Sequence, residues 1–183
     1  MTSEGKIEEL SRKRVSITAL FETHFGRITR YIAVRVGDIV MAEDMASEVF
    51  VRALRSLENY KDTGAPMEAW VFRIASNLIV DYHRSRKRQP ALVSLEEQLN
   101  IEDGSDPEGM IDRQLELEKL HQAMQYLTDA QREVLALRFG GEMTSEEVAR
   151  VMGKGPGAVR QMQSDAIKKL RQILTKTQPQ QLK

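Results

Sequence analysis

Cysteine is absent from this chain of 183 residues, which excludes both a disulfide framework and a thiolate metal site. Histidine occurs three times, at His24, His83 and His121, and these positions are too far apart for a zinc-ligand motif. We therefore expect no metal and no other cofactor. No apolar run reaches the roughly 18 residues that cross a bilayer, and the polar N-terminus lacks the apolar core of a signal peptide. These absences predict a soluble, cytoplasmic protein without membrane insertion.

The common catalytic motifs are also missing. The sequence has no glycine-rich phosphate loop, no nucleophile elbow and no histidine and acid at a spacing suited to general acid–base chemistry. We therefore expect a protein that is not an enzyme.

Net charge is absent as well, because 27 basic side chains balance 27 acidic ones. Such a balance argues against a general nucleic-acid binder. The distribution of the charges changes this conclusion. The segment from Ser94 to Glu118 carries nine acidic residues and one basic residue, whereas Arg150 to Lys183 carries eight basic residues and one acidic residue. With the basic cluster before residue 90, the sequence predicts two basic segments on either side of an acidic connector.

Apolar residues recur at steps of three and four, which is typical of amphipathic α-helices. One stripe runs from Ile17 to Val36 and stops at Gly37, a second from Met45 to Leu57 and a third from Trp70 to Tyr82. No alternating strand pattern competes with them. We predict an all-α fold with two small helical domains. The expected layout is a flexible tail at 1–15, a first domain at 16–90, an acidic linker at 91–115, a second domain at 116–175 and a tail at 176–183.

The second domain is predicted to contain a helix-turn-helix. Thr128 and Thr144 each begin a capping box, and a turn at residues 153–155 precedes Pro156 at a first helical position. Such a turn places the outer side chains of the second helix in a major groove. Here these side chains are Arg160, Gln161, Ser164 and Lys168. A helical hairpin with a solvated polar face is the alternative.

The first domain offers a second candidate surface for DNA. Arg84, Arg86, Lys87 and Arg88 end its third helix, and Arg73, Asn77, Asp81 and Arg84 share the face opposite the apolar stripe. A polar face beside a cationic cluster suits single-stranded or melted DNA. A solvated helix end is the alternative, and Trp70 is expected in the core rather than on a stacking surface.

Two blocks of the sequence resemble a known family. Met41 to Phe50 and Ala69 to Asn77, with the basic tail after Asp81, resemble region 2 of the bacterial extracytoplasmic-function (ECF) sigma factors of the sigma-70 family. Gln131 to Leu135 and Thr144 to Leu170 are similar to region 4 of the same family. The resemblance covers about residues 16–90 and 116–175. It implies a promoter-specificity subunit that binds core RNA polymerase, recognises minus-35 and minus-ten elements, and promotes melting without ATP.

The resemblance also implies roles for individual residues. Contacts with the clamp helices of the polymerase β′ subunit are expected from Asp44, Ser47, Glu48 and Arg52. Capture of unstacked minus-ten bases is expected from the loop at residues 61–66 and from Lys61, Asn77, Asp81, Arg84, Arg86, Lys87 and Arg88. Minus-35 contacts are expected from Arg132, Arg160, Gln161, Ser164 and Lys168, with Arg132 on a phosphate. The expected partners are core RNA polymerase, including its β subunit, promoter DNA and an anti-sigma factor. By the same resemblance, the acidic linker threads the polymerase channel.

The sequence departs from the family pattern at Met41 and Ser47, and at Met162, Gln163 and Asp165 in the predicted recognition helix, so no minus-35 sequence is implied. Two other readings of the residues stay open. One is a stand-alone helix-turn-helix regulator that binds duplex DNA as a dimer, with the first domain for dimerisation or sensing. The other is a helical adaptor that binds no DNA.

Overall fold

The computed structural model describes residues 3–61, 64–88 and 122–177, and every regular element in these ranges is helical. The predicted all-α fold is therefore confirmed. In chain order the elements are α1 (Ser3–Val36), α2 (Ile39–Ser56), a short 3₁₀ turn (Leu57–Asn59), α3 (Met67–Arg88), α4 (Asp129–Leu135), a π turn (Ala136–Gly140), α5 (Ser145–Met152) and α6 (Pro156–Thr177). The predicted acidic linker at 91–115 lies outside the described residues, as do the side chain of Lys87 and residues 178–183.

The first helix is longer than the sequence analysis predicted. It begins at Ser3, so residues 3–15, which were expected to be a flexible tail, are helical. Lys13 explains part of this difference, because its Nζ donates to the carbonyl oxygen of Tyr60 at 3.0 Å and ties the early turns to the first domain. The predicted end is confirmed: the helix stops at Val36, and Gly37 has a φ of 81° that favours glycine. Asp38 then caps α2 by accepting from the amide of Met41 at 2.9 Å.

Both predicted capping boxes are present at the starts of α4 and α5. The Thr128 and Thr144 side chains accept from the amides of Gln131 and Glu147, and the side chains of those residues return bonds to the threonine amides. Gly153 ends α5 in the left-handed region with a φ of 63°, and Pro156 begins α6. These local signals build the predicted helix-turn-helix from α5 and α6.

One apolar core joins the two halves of the chain. Tyr31, Ile32 and Phe72 from α1 and α3 belong to the same buried cluster as Leu137 and Met143 from the second half. Met124 and Leu127, from the segment before α4, form a smaller apolar cluster with Leu135 of α4 and Ala166 of α6. The second domain therefore packs directly against α1 and α3.

Within the described ranges, none of the helices combines the length and the apolar character that crossing a bilayer requires. The same residues contain no cluster of three or more histidine, aspartate or glutamate side chains that could hold a metal ion.

Candidate nucleic-acid interface

Helix α6 presents the side chains that the sequence predicted for reading a major groove. Arg160, Gln161, Ser164 and Lys168 are all exposed, whereas Val159 and Ala166 on the opposite face are fully buried. Arg160 pairs with Glu146 of α5 at 3.1 Å, and Gln161 donates to Asp165 at 3.0 Å. Both contacts are on the surface, where such pairs contribute little free energy. The four side chains can therefore exchange these partners for DNA.

Helix α6 is held by contacts that begin before α5. The amide and hydroxyl of Thr144 donate to the Glu147 carboxylate at 2.7 and 2.9 Å, and the backbone hydrogen bond from Thr144 lowers the pKa of Glu147. Arg138 reaches from the π turn to the carbonyl oxygen of Met143 and to the Gln163 side chain on α6, the latter at 3.0 Å. Gln163 thus holds α6 in place from its inner side.

Arg132 does not join the exposed residues of α6. Its guanidinium donates to the carbonyl oxygens of Met124, Gln125 and Leu127, and it also pairs with Asp129. The Met124 carbonyl oxygen also accepts from the Leu127 amide at 3.1 Å, so Arg132 adds to the hydrogen bonds that close the chain segment before α4. The structure thus gives Arg132 contacts within its own domain, and its contact with a minus-35 phosphate stays a prediction.

A cavity of about 210 Å³ lies where the loop after α2 meets α3. The rings of Tyr60 and Trp70 face each other there, with centroids 4.8 Å apart at an angle of 52°. Lys61, Pro66 and Arg73 also line the cavity, together with Arg150 from α5. Trp70 is only half-buried, so it contributes both to the core, as predicted, and to this cavity wall. An aromatic and cationic lining can hold an unstacked base.

The polar face of α3 continues from this cavity. Asn77, Asp81, Arg84 and Arg88 are exposed on it, as the sequence predicted. Arg86 is also exposed, and its guanidinium donates to the Tyr82 hydroxyl at 2.9 Å and lies 5.6 Å from the Tyr82 ring centroid. The predicted minus-ten residues with described side chains are therefore distributed along one helix and the loop that precedes it.

A second cleft brings together side chains that the sequence assigned to two different sites. Arg84 and Arg86 line it with Arg132, beside Val34 and Val80. His83 lies in the same cleft, and burial, followed by the positive charge of Arg35, lowers its pKa. With Arg35 the cleft has four cations among its described walls, and the acid there, Asp129, is exposed. The cleft is therefore electropositive.

The predicted polymerase-binding residues lie on α2. Asp44 and Ser47 are exposed, and Glu48 pairs with Arg52 at 2.7 Å one turn later. Four apolar side chains are exposed around them: Val40, Met41, Val51 and Leu54. Sequence reasoning placed Leu54 in the buried stripe, which is wrong, and assigned none of the four to a binding surface. The sequence did contain a signal for this surface, because α2 has apolar residues outside the stripe that it buries. A face that mixes acids with exposed aliphatic groups is typical of a protein-binding surface.

Glu133 of α4 is a buried charged residue to which sequence reasoning gave no role. Its Oε1 accepts from the Tyr31 hydroxyl at 2.5 Å and from the Ser76 hydroxyl at 2.8 Å, and its Oε2 lies 3.2 Å from Arg35 Nε. Burial, and then the Glu133 charge, raise the pKa of Tyr31 well above its usual value. Tyr31 and Glu133 are 102 positions apart, and no local pattern links them.

Comparisons with known proteins agree on one family. The model of "Sigma-70 region 2" matches residues 20–89 and that of "Sigma-70, region 4" matches residues 123–172, together more than half of the chain. The ECF RNA polymerase sigma factor ShbA of Streptomyces griseus is 37% identical, over 72% of this chain and 70% of the relative. The ECF RNA polymerase sigma factor BldN of Streptomyces coelicolor is 34% identical over 85% of this chain, which spans only 59% of that relative.

The fold has a counterpart among solved structures. The sigma factor RpoE, in its complex with the anti-sigma factor NepR from Bartonella quintana, matches with a TM-score of 0.65 and 18% identity. The match covers 88% of this chain and 98% of the other. At this identity the likeness concerns the fold of the two helical domains.

Proposed function

This chain belongs to the ECF sigma factors of the sigma-70 family, and from this premise we propose that it binds core RNA polymerase, brings it to promoters with minus-35 and minus-ten elements, and promotes melting of the DNA. Residues 20–89 are called region 2 below, and residues 123–172 region 4. The observation that carries the proposal is the exposed polar face of α6 on a capped helix-turn-helix, in one chain with an aromatic base-sized cavity beside α3.

Region 4 supplies the contacts to the minus-35 element. Arg160 can bond a guanine edge with two N–H groups, and Gln161 can bond an adenine edge. Lys168 lies two turns further along the same helix and suits a phosphate. The predicted phosphate contact of Arg132 stays part of the proposal, and its guanidinium also bonds carbonyl oxygens of its own domain.

Region 2 supplies the site for the melted strand. A base that leaves the stack loses a few kcal/mol of stacking and pairing, and a protein can offset that loss by stacking and bonding the extruded base. Tyr60 and Trp70 give the cavity aromatic walls, and Lys61 and Arg73 offer positive charge. Asn77, Asp81 and Arg84 extend the polar surface from the cavity along α3, and Arg86, Lys87 and Arg88 continue the positive charge to its end. Melting is thus driven by binding and needs no ATP.

The exposed face of α2 supplies the contact with the polymerase. Asp44, Ser47 and Glu48 provide polar contacts to the β′ clamp helices, while the exposed Val51 and Leu54 add apolar surface that a partner would bury. Arg52 keeps Glu48 in position through their 2.7 Å pair. We place this activity in the cytoplasm, where polymerase and promoters are, and assign no enzymatic step to the chain.

An anti-sigma factor is part of the same proposal. Support comes from the matching fold of RpoE, whose structure was determined with the anti-sigma factor NepR. The comparisons do not favour a stand-alone dimeric regulator, because both matched regions lie in the order of a sigma factor.

Transcription in vitro tests the proposal. Purified core polymerase and this protein are incubated with a pool of promoter fragments from the source genome. We expect discrete transcripts only when both proteins are present, and their start points reveal both elements. If no transcripts form but the protein alone shifts duplex fragments, the stand-alone regulator replaces the proposal. If neither occurs, the adaptor becomes the better description.

A further inference from the structure

The first turns of α1 lie outside the part of the chain that matches region 2. The match begins at residue 20, whereas α1 begins at Ser3. Residues 3–19, the N-terminal extension below, are nevertheless attached to the domain. Leu10 packs against the main apolar core, and Ile17 is buried within it. The extension is therefore part of the folded domain although it precedes the family match.

Lys13 connects this extension with the loop after α2. Its Nζ donates to the carbonyl oxygen of Tyr60 at 3.0 Å, pairs with Glu9 at 2.7 Å and lies 5.9 Å from the centroid of the Tyr60 ring. Only 16% of the Lys13 side chain is exposed. An ammonium group with so little access to water depends on protein atoms for its hydrogen bonds. Lys13 is therefore held against Tyr60 rather than extended into solvent.

Tyr60 passes this constraint on to the cavity that it lines with Trp70, the base cavity below. The Tyr60 amide donates to the carbonyl oxygen of Leu57 at 3.2 Å, and the Tyr60 carbonyl oxygen accepts from Lys13. The backbone is thus bonded on both sides of the Tyr60 side chain. This fixes the direction in which the chain leaves the 3₁₀ turn, and with it the position of the ring against Trp70 and of Lys61, the next residue.

The loop itself does little to fix this wall of the cavity. It contains Gly64, whose φ of 76° lies in the left-handed region, and glycine restricts the backbone less than any other residue type. The affinity of a site falls in proportion to the fraction of molecules in which the site is formed. A contact from outside the loop that keeps Tyr60 in place therefore raises the affinity of the base cavity without touching the base.

We propose that the N-terminal extension of α1 holds the base cavity in its binding form, with Lys13 as the positioning residue. Lys13 acts through the Tyr60 backbone and ring, and it makes no contact with DNA. The proposal rests on the proposed function, because it concerns the capture of an unstacked minus-ten base in that cavity. It gives the residues ahead of the family match a part in promoter melting.

Lys13→Met is the variant that tests the contact. Methionine has an unbranched side chain and a similar helix propensity, but it can neither donate to the Tyr60 carbonyl oxygen nor pair with Glu9. Lys13→Arg is the conservative variant, because it retains a positive charge and N–H donors. Arg12→Met is the matched control. Its side chain is 77% exposed and pairs with Glu8 on the surface, so it removes the same charge from the same helix without removing a contact with the loop.

Tryptophan fluorescence reports on the cavity wall without polymerase or DNA, because Trp70 is the one tryptophan of the chain. The neutral quencher acrylamide is added to the unaltered protein and to the three variants. Quenching should be stronger in Lys13→Met, because the Tyr60 ring, 4.8 Å from the Trp70 ring, no longer covers the indole in every molecule. Lys13→Arg and Arg12→Met should be quenched like the unaltered protein.

Binding to DNA is measured on the complex of each protein with core polymerase. The two probes are a labelled single strand with a minus-ten sequence identified from the transcripts, and a duplex with the minus-35 element alone. If the fraction of molecules with a formed cavity falls from nearly all to about a fifth, Lys13→Met should bind the single strand about fivefold more weakly. Its affinity for the minus-35 duplex should be unchanged, because region 4 reads that element. Lys13→Arg should restore the affinity for the single strand.

Three outcomes would overturn the proposal. The first is equal quenching and equal strand affinity in Lys13→Met and the unaltered protein. The second is a loss that Arg12→Met shares, and the third is an equal loss on the single strand and on the minus-35 duplex, since each indicates a general effect on the helix or the fold. Absence of transcripts from every promoter would overturn the proposed function, and the promoter role of Lys13 with it, even where the quenching changes as expected.

Discussion

Arg160 is the residue on α6 whose substitution separates base reading from phosphate binding. It is 60% exposed, and its described partner is Glu146, also on the surface. Replacement by alanine should weaken promoter binding by about 1 to 3 kcal/mol if the guanidinium bonds a guanine edge. The measurement is competition binding of the polymerase complex to matched and scrambled minus-35 duplexes.

Arg171→Ala is the matched control for this prediction, because it removes the same charge from an exposed position three turns further along α6. A base contact at Arg160 predicts a loss on the matched duplex only. Equal losses on both duplexes, with a similar loss for Arg171→Ala, would show that Arg160 binds phosphate.

His83 gives the molecule a dependence on mildly acidic pH. Its pKa in the folded protein is lowered from the ordinary value of 6.5, first by burial and then by the charge of Arg35, with Arg132 adding to the effect and Asp129 opposing it. The unfolded chain therefore binds this proton more readily. Stability from His83 is complete above about pH 6.5 and is lost as the pH falls towards the lowered value.

His83→Gln should reduce this dependence. Between about pH 7.5 and pH 5.5, the melting temperature of the unaltered protein should fall more than that of His83→Gln, because glutamine takes up no proton. Thermal melts followed by circular dichroism measure both. Parallel pH profiles of the two proteins would contradict the assignment.

At the level of single residues, the sequence predicted which side chains are exposed better than it predicted which residues they contact. The face of Arg160, Gln161, Ser164 and Lys168 follows from helical periodicity alone, which needs only neighbouring residues. The partners of Arg132 were not predictable in this way, because every residue has a backbone carbonyl oxygen and the sequence does not show which of them a side chain contacts. Glu133 was missed for a related reason, since its partners lie far away in sequence.

At the level of elements, the N-terminal cap of α5 determines how firmly the helix-turn-helix is held. Thr144 accepts from the Glu147 amide at 3.3 Å and donates to the Glu147 carboxylate. Thr144→Ala should lower the free energy of unfolding by about 1 kcal/mol, as expected for loss of a capping hydroxyl. Urea denaturation at neutral pH measures the change.

Thr18→Ala provides the control for the cap. Thr18 is exposed in the interior of α1, where its hydroxyl donates to the carbonyl oxygen of Arg14 at 3.1 Å. This hydroxyl satisfies no free amide, and alanine has the higher helix propensity, so the control should be neutral or slightly stabilising. Equal destabilisation by both substitutions would indicate that the cap adds nothing specific.

Helix ends were predictable where a residue type carries the signal. Gly37, Thr128, Thr144 and Gly153 each mark a boundary that the structure confirms. The start of α1 at Ser3 was not predictable from its polar sequence, because that part of the helix is supported by contacts such as the one from Lys13 to Tyr60. A tertiary contact outweighed a weak local pattern.

At the level of the whole molecule, the sequence predicted two domains but not their packing. The buried stripes of α1 and α3 were expected to close a core of their own. Instead, Tyr31 and Phe72 share a core with Leu137 and Met143 of region 4. Periodicity shows which side of a helix is buried but cannot specify the element that covers it.

A shared core predicts that the free protein unfolds as one cooperative unit. In scanning calorimetry, the measured enthalpy of the unaltered protein should equal the van't Hoff enthalpy, because neither region can unfold without exposing the apolar surface of the other. Gly26→Ala on α1 is the control and should behave in the same way, because its Cβ would meet only the flexible end of Arg30, at 3.6 Å. Gly140→Ala should separate the transition into two, since its Cβ would lie 2.9 Å from Tyr31 Cα and forces α1 and the π turn apart while leaving each helix intact. A measured enthalpy well above the van't Hoff value in the unaltered protein would mean that the regions already unfold independently. The contact between Gly140 and Tyr31 would then contribute nothing to cooperativity.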